Sequence, residues 1–483
     1  MNKPKVASNY LYNVAYQILT FITPFITTPY LARHFGSESL GVYNYTYSIV
    51  YWFILFGMLG LSIYGNRQIA KVRDDKEARS RTFSEIFTLQ VINVLCSMAL
   101  FYLVFQFFDK QYYSIFMLQG LMVFATLFDI SWFYNGIENF KKITLRNFAV
   151  KIMTIVLIFL IIKNPEQIVE YVWINIGMTF FSNIVMWINL KKYVSFVKVK
   201  IKDAYKHFKK TFILFLPQIA TTIYSVFTQT MIGILYTNIS DVAFYNQAYK
   251  FITMCLTITT TIGTVMLPRI VNSKMHEGEE KVKSLTNKTF KIALFLAFPI
   301  AFGIAAVATY FIPWFLTEEF RTVGYLLVIM APTVIFISLT NVMGTQYLLS
   351  CDRDKDYTLS VVCGCILNVI CNLLLIPKYG AVGAAIATLI TEIFVFIIQY
   401  FMVRKAFDFS GVIGKTLKYF SASLIMGFII FIIGYYMGVG IITNIIQIFV
   451  AMFIYLGILY LTKDDLLLFL TTKMKEMFNF KKG

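Results

Sequence analysis

YLYNVAYQILTFITPFITTPYL, residues 10–31, runs for 22 positions without an Asp, Glu, Lys or Arg. About 20 predominantly apolar residues are what a helix needs to cross the roughly 30 Å hydrocarbon core of a bilayer. The stretch therefore predicts a membrane crossing, and the sequence on either side repeats it. Apolar windows follow at residues 40–63, 83–108, 112–134, 148–162 and 168–190, then at 212–236, 242–267, 290–313, 323–349, 359–376 and 381–403, and last at 417–437 and 441–461. The expected fold is all-α, a polytopic membrane protein of about fourteen transmembrane helices. Its expected parts are a six-helix lobe over residues 1–190, a basic linker over 191–210, a second six-helix lobe over 211–403, and two additional helices with a tail over 404–483.

Composition agrees with that reading. Of 483 residues 58% are hydrophobic and only 14% charged, too few to cover a water-facing surface where soluble domains carry about 25%. The net charge of +18 does not form one patch or arm, as nucleic-acid binding would require; basic residues recur in short clusters between apolar windows. With the N-terminus placed inside, the inner loops hold Arg67 to Arg81, Lys141, Lys142 and Arg146, the lysine-rich 191–210 run, Arg269 to Lys288, Arg353 and Lys355, and Arg404 to Lys415. The outer loops hold only Arg33, Lys110, Lys163, Arg321 and Lys378. Both termini are therefore expected on the cytoplasmic side of the cell membrane. The six cysteines show no C-x-x-C spacing and read as small apolar side chains.

An internal repeat supports two lobes. Tyr43, Asn44 and Tyr47 at the start of the second window correspond to Tyr245, Asn246 and Tyr249 in the eighth, and the same offset sets Arg67 against Arg269. Copies with an even number of crossings share one orientation.

His34, His207 and His276 fall at helix ends or in loops, and no nucleophile, metal-ligand set or phosphate-cradling glycine loop is visible. No enzyme activity, cofactor or metal is expected. What remains is the polar and ionisable residues inside apolar helices, each costing about 2.5–3.5 kcal/mol at mid-bilayer and so expected to face a hydrated cavity or a partner. Lys250 lies about 13 Å inside the eighth window at 1.5 Å per residue; it either faces a cavity or pairs with a carboxylate such as Asp241. Arg33 ends the first window and is either a cavity cation or an interfacial anchor. If both point inward, the lobes enclose a cationic cavity suited to a phosphate-bearing ligand, with Tyr43, Asn44, Tyr245, Asn246 and Trp132 lining it. Asp129 and Glu392 are candidates for coupling to protons or a cation, and Arg67 and Arg269 for an inner gate. Pro24, Pro29 and Pro217 interrupt the first helix of each lobe. Asn13, Gln17, Gln218, Gln229, Gln346, Asn368 and Asn372 suit either sugar hydroxyls or interhelical hydrogen bonds.

Several strings then match a known family. TPYLARHFGSESLGVY at residues 28–43, YGNR at 64–67, DISWFYNGIE at 129–138, YNQAYK at 245–250 and NVMGTQY at 341–347 resemble, in their order, the Wzx-type oligosaccharide flippases of the multidrug/oligosaccharidyl-lipid/polysaccharide exporter superfamily. The resemblance implies two lobes rocking about a central cavity, and a substrate that is an undecaprenyl-diphosphate-linked repeat unit for capsule or surface polysaccharide. It also implies membrane lipids, a polysaccharide polymerase and a chain-length regulator as partners. Arg33 fits the Ala-Arg-x-Phe-Gly string of related peptidoglycan-precursor flippases, in which cationic residues line the cavity. The rival readings are a cation-coupled multidrug exporter of the same superfamily and, from another class, a membrane polysaccharide polymerase. The polymerase would need a sizeable external loop, and here such loops are a few to about ten residues.

Overall fold

The computed structural model describes residues 3–222, 226–404, 410–469 and 471–472, with the side chains of 3–18, 216–221, 262, 264, 265 and 410–413 outside that description. Asn13, Gln17, Pro217, Gln218 and Lys405, singled out above, lie outside the described side chains. The described residues are helical throughout, without strands. In chain order the helices are α1 Lys3–Met58, α2 Leu61–Lys71, α3 Lys76–Phe105, α4 Tyr113–Ala125, α5 Ser131–Gly136, α6 Phe140–Ile161, α7 Ile168–Val185, α8 Ile201–Tyr205, α9 Phe208–Thr222 and α10 Thr228–Leu235. They continue as α11 Ser240–His276, α12 Glu279–Phe315, α13 Arg321–Thr340, α14 Asp354–Val403, α15 Ser410–Met437 and α16 Ile441–Leu461.

Eleven helices among the described residues are long and apolar enough to cross a bilayer, so the chain is a multi-pass, all-α membrane protein. Two of these contain a corner. α1 turns at Gly36 (φ 68°, ψ −174°) and α14 at Gly380 (φ 54°, ψ −129°), backbone regions that residues with a Cβ avoid. At 1.5 Å per residue the 50 residues of α14 would measure about 75 Å as a straight rod, over twice the hydrocarbon thickness. Each of the two helices is thus long enough for two crossings, and the outer loops expected at 32–39 and 377–380 shrink to a single glycine.

The chain forms two compact units, Met1–Ala243 and Phe244–Gly483. In the first, α1 packs on α3, α4, α6 and α10, and α7 packs on α4 and α6. Its core at one end is aromatic: Phe83, Trp132, Phe133 and Tyr134 are fully buried. The fourth window is expected as one helix but breaks between α4 and α5. The exposed carbonyls of that break are bonded by side chains of neighbouring helices. Asn183 Nδ2 donates to Ala125 O at 2.8 Å, Gln90 Nε2 to Thr126 O at 2.8 Å and to Asp129 O at 2.9 Å, and Trp187 Nε1 to Phe128 O at 2.9 Å. Gln90 Oε1 in turn accepts from Trp132 Nε1 at 2.9 Å. Lys142 similarly closes the end of α7, donating to Tyr134 Oη at 2.7 Å, Met186 O at 3.2 Å and Ile188 O at 2.7 Å, the favoured position for a cation at a helix C-terminus.

The basic segment after α7 docks on this unit. Backbone N–H groups of Ser195 and Val197 donate to the hydroxyls of Ser80 and Ser84 at 3.0 and 3.1 Å, and His207 sits between Tyr64 Oη (2.7 Å) and Glu85 (3.0 Å). Phe196, Val197, Ile201 and Tyr205 remain exposed among the lysines. In the second unit α12 is central, packed on α13, α15 and α16.

Two outcomes test this packing. An alanine Cβ at Gly65 would come within 2.5 Å of Trp132 Cε3, whereas one at Gly177 meets nothing within 4 Å. Overpacking costs about 1–3 kcal/mol, so Gly65→Ala lowers the thermal midpoint of the detergent-solubilised protein while Gly177→Ala leaves it unchanged; equal midpoints contradict the packing. Gln90→Leu leaves the Asp129 carbonyl and the Trp132 N–H without a partner and takes one of two donors from the Thr126 carbonyl, at about 1–3 kcal/mol for each orphaned group. Its midpoint falls below that of wild type, and an unchanged midpoint rules out the Gln90 brace.

Candidate functional site

Within the first unit, α1, α6 and α7 enclose a cleft of about 320 Å³. Thr23 and Thr27 of α1, Asn147, Lys151 and Thr154 of α6, and Tyr171 and Asn175 of α7 supply its polar wall, with Val150, Ile155 and Ile158 between them. The spacing is helical: residues three or four apart on each helix share a face. Asn139 caps α6, its Oδ1 accepting from Lys142 N at 3.4 Å. Lys151 is the twelfth of 22 residues, about 17 Å along a helix of about 33 Å, near the middle of the helix. It is half-buried and has no ion-pair or hydrogen-bond partner among the described residues.

The cleft's other groups have fixed roles. Arg146 donates to Asn147 Oδ1 through Nε at 3.0 Å and a terminal nitrogen at 2.7 Å. That leaves the two N–H groups of the Asn147 amide as donors. The Thr23, Thr27 and Thr154 hydroxyls donate to Leu19 O, Thr23 O and Val150 O on their own helices, leaving oxygen lone pairs to accept. Asn175 Nδ2 donates to Tyr171 O at 2.8 Å, which turns its Oδ1 into an acceptor. An aromatic ladder adjoins the cleft: the rings of Tyr51 and Tyr47 lie 5.9 Å apart, Tyr47 and Tyr43 stack at 6.1 Å, and Tyr43 meets Tyr171 at 4.8 Å.

Of the residues singled out in this half, Tyr43 thus touches the cleft wall, and Asn44 beside it is half-buried. Arg33 is exposed, one turn before the Gly36 corner, and Arg67 is exposed on α2. Trp132 is fully buried with its N–H committed to Gln90. Asp129 Oδ1 accepts from Ser131 N at 2.9 Å, a turn that starts α5.

In the second unit Tyr245 is fully buried, its hydroxyl 2.9 Å from Thr388 Oγ1, and its ring lies 6.0 Å from that of Tyr249. Glu392 is half-buried and within electrostatic reach of the Tyr249 hydroxyl. Asn246 and Lys250 are half-buried on α11, and Arg269 is exposed on the same helix. Asn368 and Asn372, considered above for sugar hydroxyls, are fully buried: Asn372 Nδ2 donates to Asn368 Oδ1 at 2.9 Å and Asn368 Nδ2 to Thr391 Oγ1 at 3.2 Å. Gln346 likewise donates to Asn341 Oδ1 at 3.1 Å. A second, apolar cleft of about 440 Å³ lies among α12, α13 and α15, walled by residues such as Phe298, Phe302, Ile335 and Phe420. Among the described residues no group of three or more His, Cys, Asp or Glu could hold a metal ion.

Lys151 escapes the sequence reading for a physical reason. With the fifth window started at Phe148, Lys151 falls near its end and looks interfacial. The true start is signalled by Asn139, a good cap three residues ahead of Lys142, and from there Lys151 falls at the centre.

Comparisons with known proteins agree with this architecture. The family model described as polysaccharide biosynthesis protein matches residues 6–274. A Shigella dysenteriae protein described as an O-antigen transporter is 24% identical over 380 residues, 78% of this chain and 94% of that protein. A capsular polysaccharide biosynthesis protein of Staphylococcus aureus is 23% identical over 83% of this chain and all of its own length. Among solved structures, lipid II flippase MurJ in an inward closed conformation aligns with a TM-score of 0.76 at 18% identity, over 94% of this chain and 99% of that one; at that identity the likeness is one of fold. With more than half of its length matched by the family model, the chain belongs to the polysaccharide biosynthesis protein family of multi-pass membrane proteins.

Proposed function

We propose that the chain is a flippase: it carries an undecaprenyl-diphosphate-linked oligosaccharide repeat unit from the inner to the outer leaflet of the cell membrane by alternating access, for capsule or other surface polysaccharide. The observation that carries this reading is an ammonium held half-way along an apolar helix in a polar cleft, in a chain of a polysaccharide biosynthesis family. Moving sugars and a diphosphate through hydrocarbon strands their polar groups. A hydrated route lined by amides, hydroxyls and cations removes that barrier, and the apolar cleft on α12, α13 and α15 suits an isoprenoid tail. The relatives named as an O-antigen transporter and a capsular polysaccharide biosynthesis protein support a surface-polysaccharide role. The activity is transport, not catalysis.

In this proposal both termini are cytoplasmic, Arg33 and Lys250 contact the diphosphate, and Arg67 and Arg269 guard the inner end. Tyr43, Asn44, Tyr245, Asn246 and Trp132 shape the sugar path, the two buried ones by positioning their neighbours. A polymerase and a chain-length regulator receive the product. An inside-negative potential favours each negative charge moved outward by about 2.3 kcal/mol per 100 mV, so a headgroup of roughly two charges gains about 5 kcal/mol. That suffices without a coupling ion. Of the two candidate coupling carboxylates, Asp129 accepts from Ser131 N in the turn before α5, and Glu392 is the one proposed to add proton coupling.

In proteoliposomes carrying the lipid-linked sugar, Arg33→Ala and Lys250→Ala each slow outer-leaflet appearance about tenfold, the effect of losing ~1.4 kcal/mol of charge-assisted binding. Wild-type rates in both variants would remove these cations from the path. With a potential but no proton or sodium gradient, wild type and Glu392→Gln transport at similar rates; arrest of both would show that a coupling ion is obligatory.

A further inference from the structure

The Lys151 cleft has a chemistry more selective than charge alone. A lysine half-way along a membrane-spanning helix, without a carboxylate among the cleft's lining residues, is costly unless a water-filled space or a bound anion compensates it. The donors beside it are the Asn147 N–H groups, whose direction is fixed because Arg146 occupies Oδ1. Most of the rest of the wall is acceptors, namely the hydroxyl oxygens of Thr23, Thr27 and Thr154, each of which has spent its proton on a carbonyl of its own helix, and Asn175 Oδ1, with the Tyr171 hydroxyl and the second Asn175 N–H as further donors. A diphosphate esterified at both ends, as in a lipid-linked sugar, carries no O–H at neutral pH and would leave those acceptors facing its own lone pairs. A sugar bearing a carboxylate matches both halves, its acid group on Lys151 and Asn147 and its hydroxyls donating to the threonines and Asn175. At about 320 Å³ the cleft is at the small end of ligand pockets, roughly 300–1,000 Å³, the size for one sugar residue and not for a whole repeat unit. The Tyr43–Tyr171 pair beside it offers ring faces of the kind that sugar C–H groups pack on.

We propose that this cleft is a subsite in the first unit for one acidic sugar residue, a uronic acid, with Lys151 as the residue that selects it. The proposal rests on the reading of the chain as a carrier of lipid-linked sugars, and it makes the first unit the reader of sugar identity.

The test uses the purified full-length protein and soluble probes, so that binding is read apart from transport. Isothermal titration with methyl glucuronoside, methyl glucoside and inorganic diphosphate is carried out on wild type, Lys151→Gln and Lys151→Arg. Expected is glucuronoside binding that falls at least tenfold in Lys151→Gln, survives within about threefold in Lys151→Arg, and exceeds glucoside binding at least tenfold in wild type. Glucuronoside binding that is absent from wild type, or indifferent to Lys151→Gln, overturns the subsite. Dependence on Lys151 confined to diphosphate overturns the uronic-acid assignment and gives the lysine to the headgroup. Lys151-dependent glucuronoside binding in a protein that transports no lipid-linked sugar in vesicles would leave the subsite standing and sink the flippase reading instead.

Discussion

A break in a helix inside hydrocarbon exposes carbonyls that no solvent can reach, and each must find a donor within the protein. The turn between α4 and α5 obeys this constraint atom by atom. Ala125, Phe128 and Asp129 lose their helical partners and are met by Asn183, Trp187 and Gln90, and Gln90 also bonds the Thr126 carbonyl beside its backbone donor Asp129 N. Because those donors come from α3 and from the end of α7, the break ties three helices together at one level. The aromatic core around Phe83 and Trp132 grows from that knot, since Trp132 spends its N–H on the same glutamine. Docking of the basic segment onto Ser80, Ser84 and Glu85 of α3 extends it outward.

The crossings were legible because their signal is additive: twenty apolar residues give the same free energy of burial in any order. The corners were not. Gly36 and Gly380 are single residues whose φ and ψ, not their composition, turn the chain, and the flanking Ala-Arg-His-Phe and Pro-Lys-Tyr read equally well as loops. The α4–α5 break was hidden for the opposite reason, because the residues that repair it sit more than thirty positions away in sequence. Beside the cleft, the sequence singled out Tyr43, through the internal repeat. It passed over Lys151, whose depth depends on where α6 begins, and neighbouring lysines and an arginine drew that boundary inward.

Intramembrane polarity has two fates in this protein. Asn368, Asn372, Gln346 and the Tyr245 hydroxyl are sealed in and bonded to one another, to Asn341 or to threonines, which fixes helix positions. Lys151, Asn147 and Asn175 border open space. Residue type does not separate the two groups, since asparagine appears in both; geometry does. The two clefts differ accordingly: the one among α1, α6 and α7 is polar and cationic, and the one among α12, α13 and α15 is an apolar trough.

The glycine corners have a mechanical consequence. Where two crossings are joined by a flexible loop, one can shift while the loop takes up the slack. Gly36 joins residues 3–35 to 37–58 with nothing to spare, so the two arms cannot part at the corner, and a change in the angle between them falls on the φ and ψ of that one residue. Gly380 couples 354–379 to 381–403 in the same way. A bilayer-embedded machine that must transmit small displacements over tens of ångströms gains from such stiff elbows, and the only hinge they permit is a residue with no side chain to obstruct it.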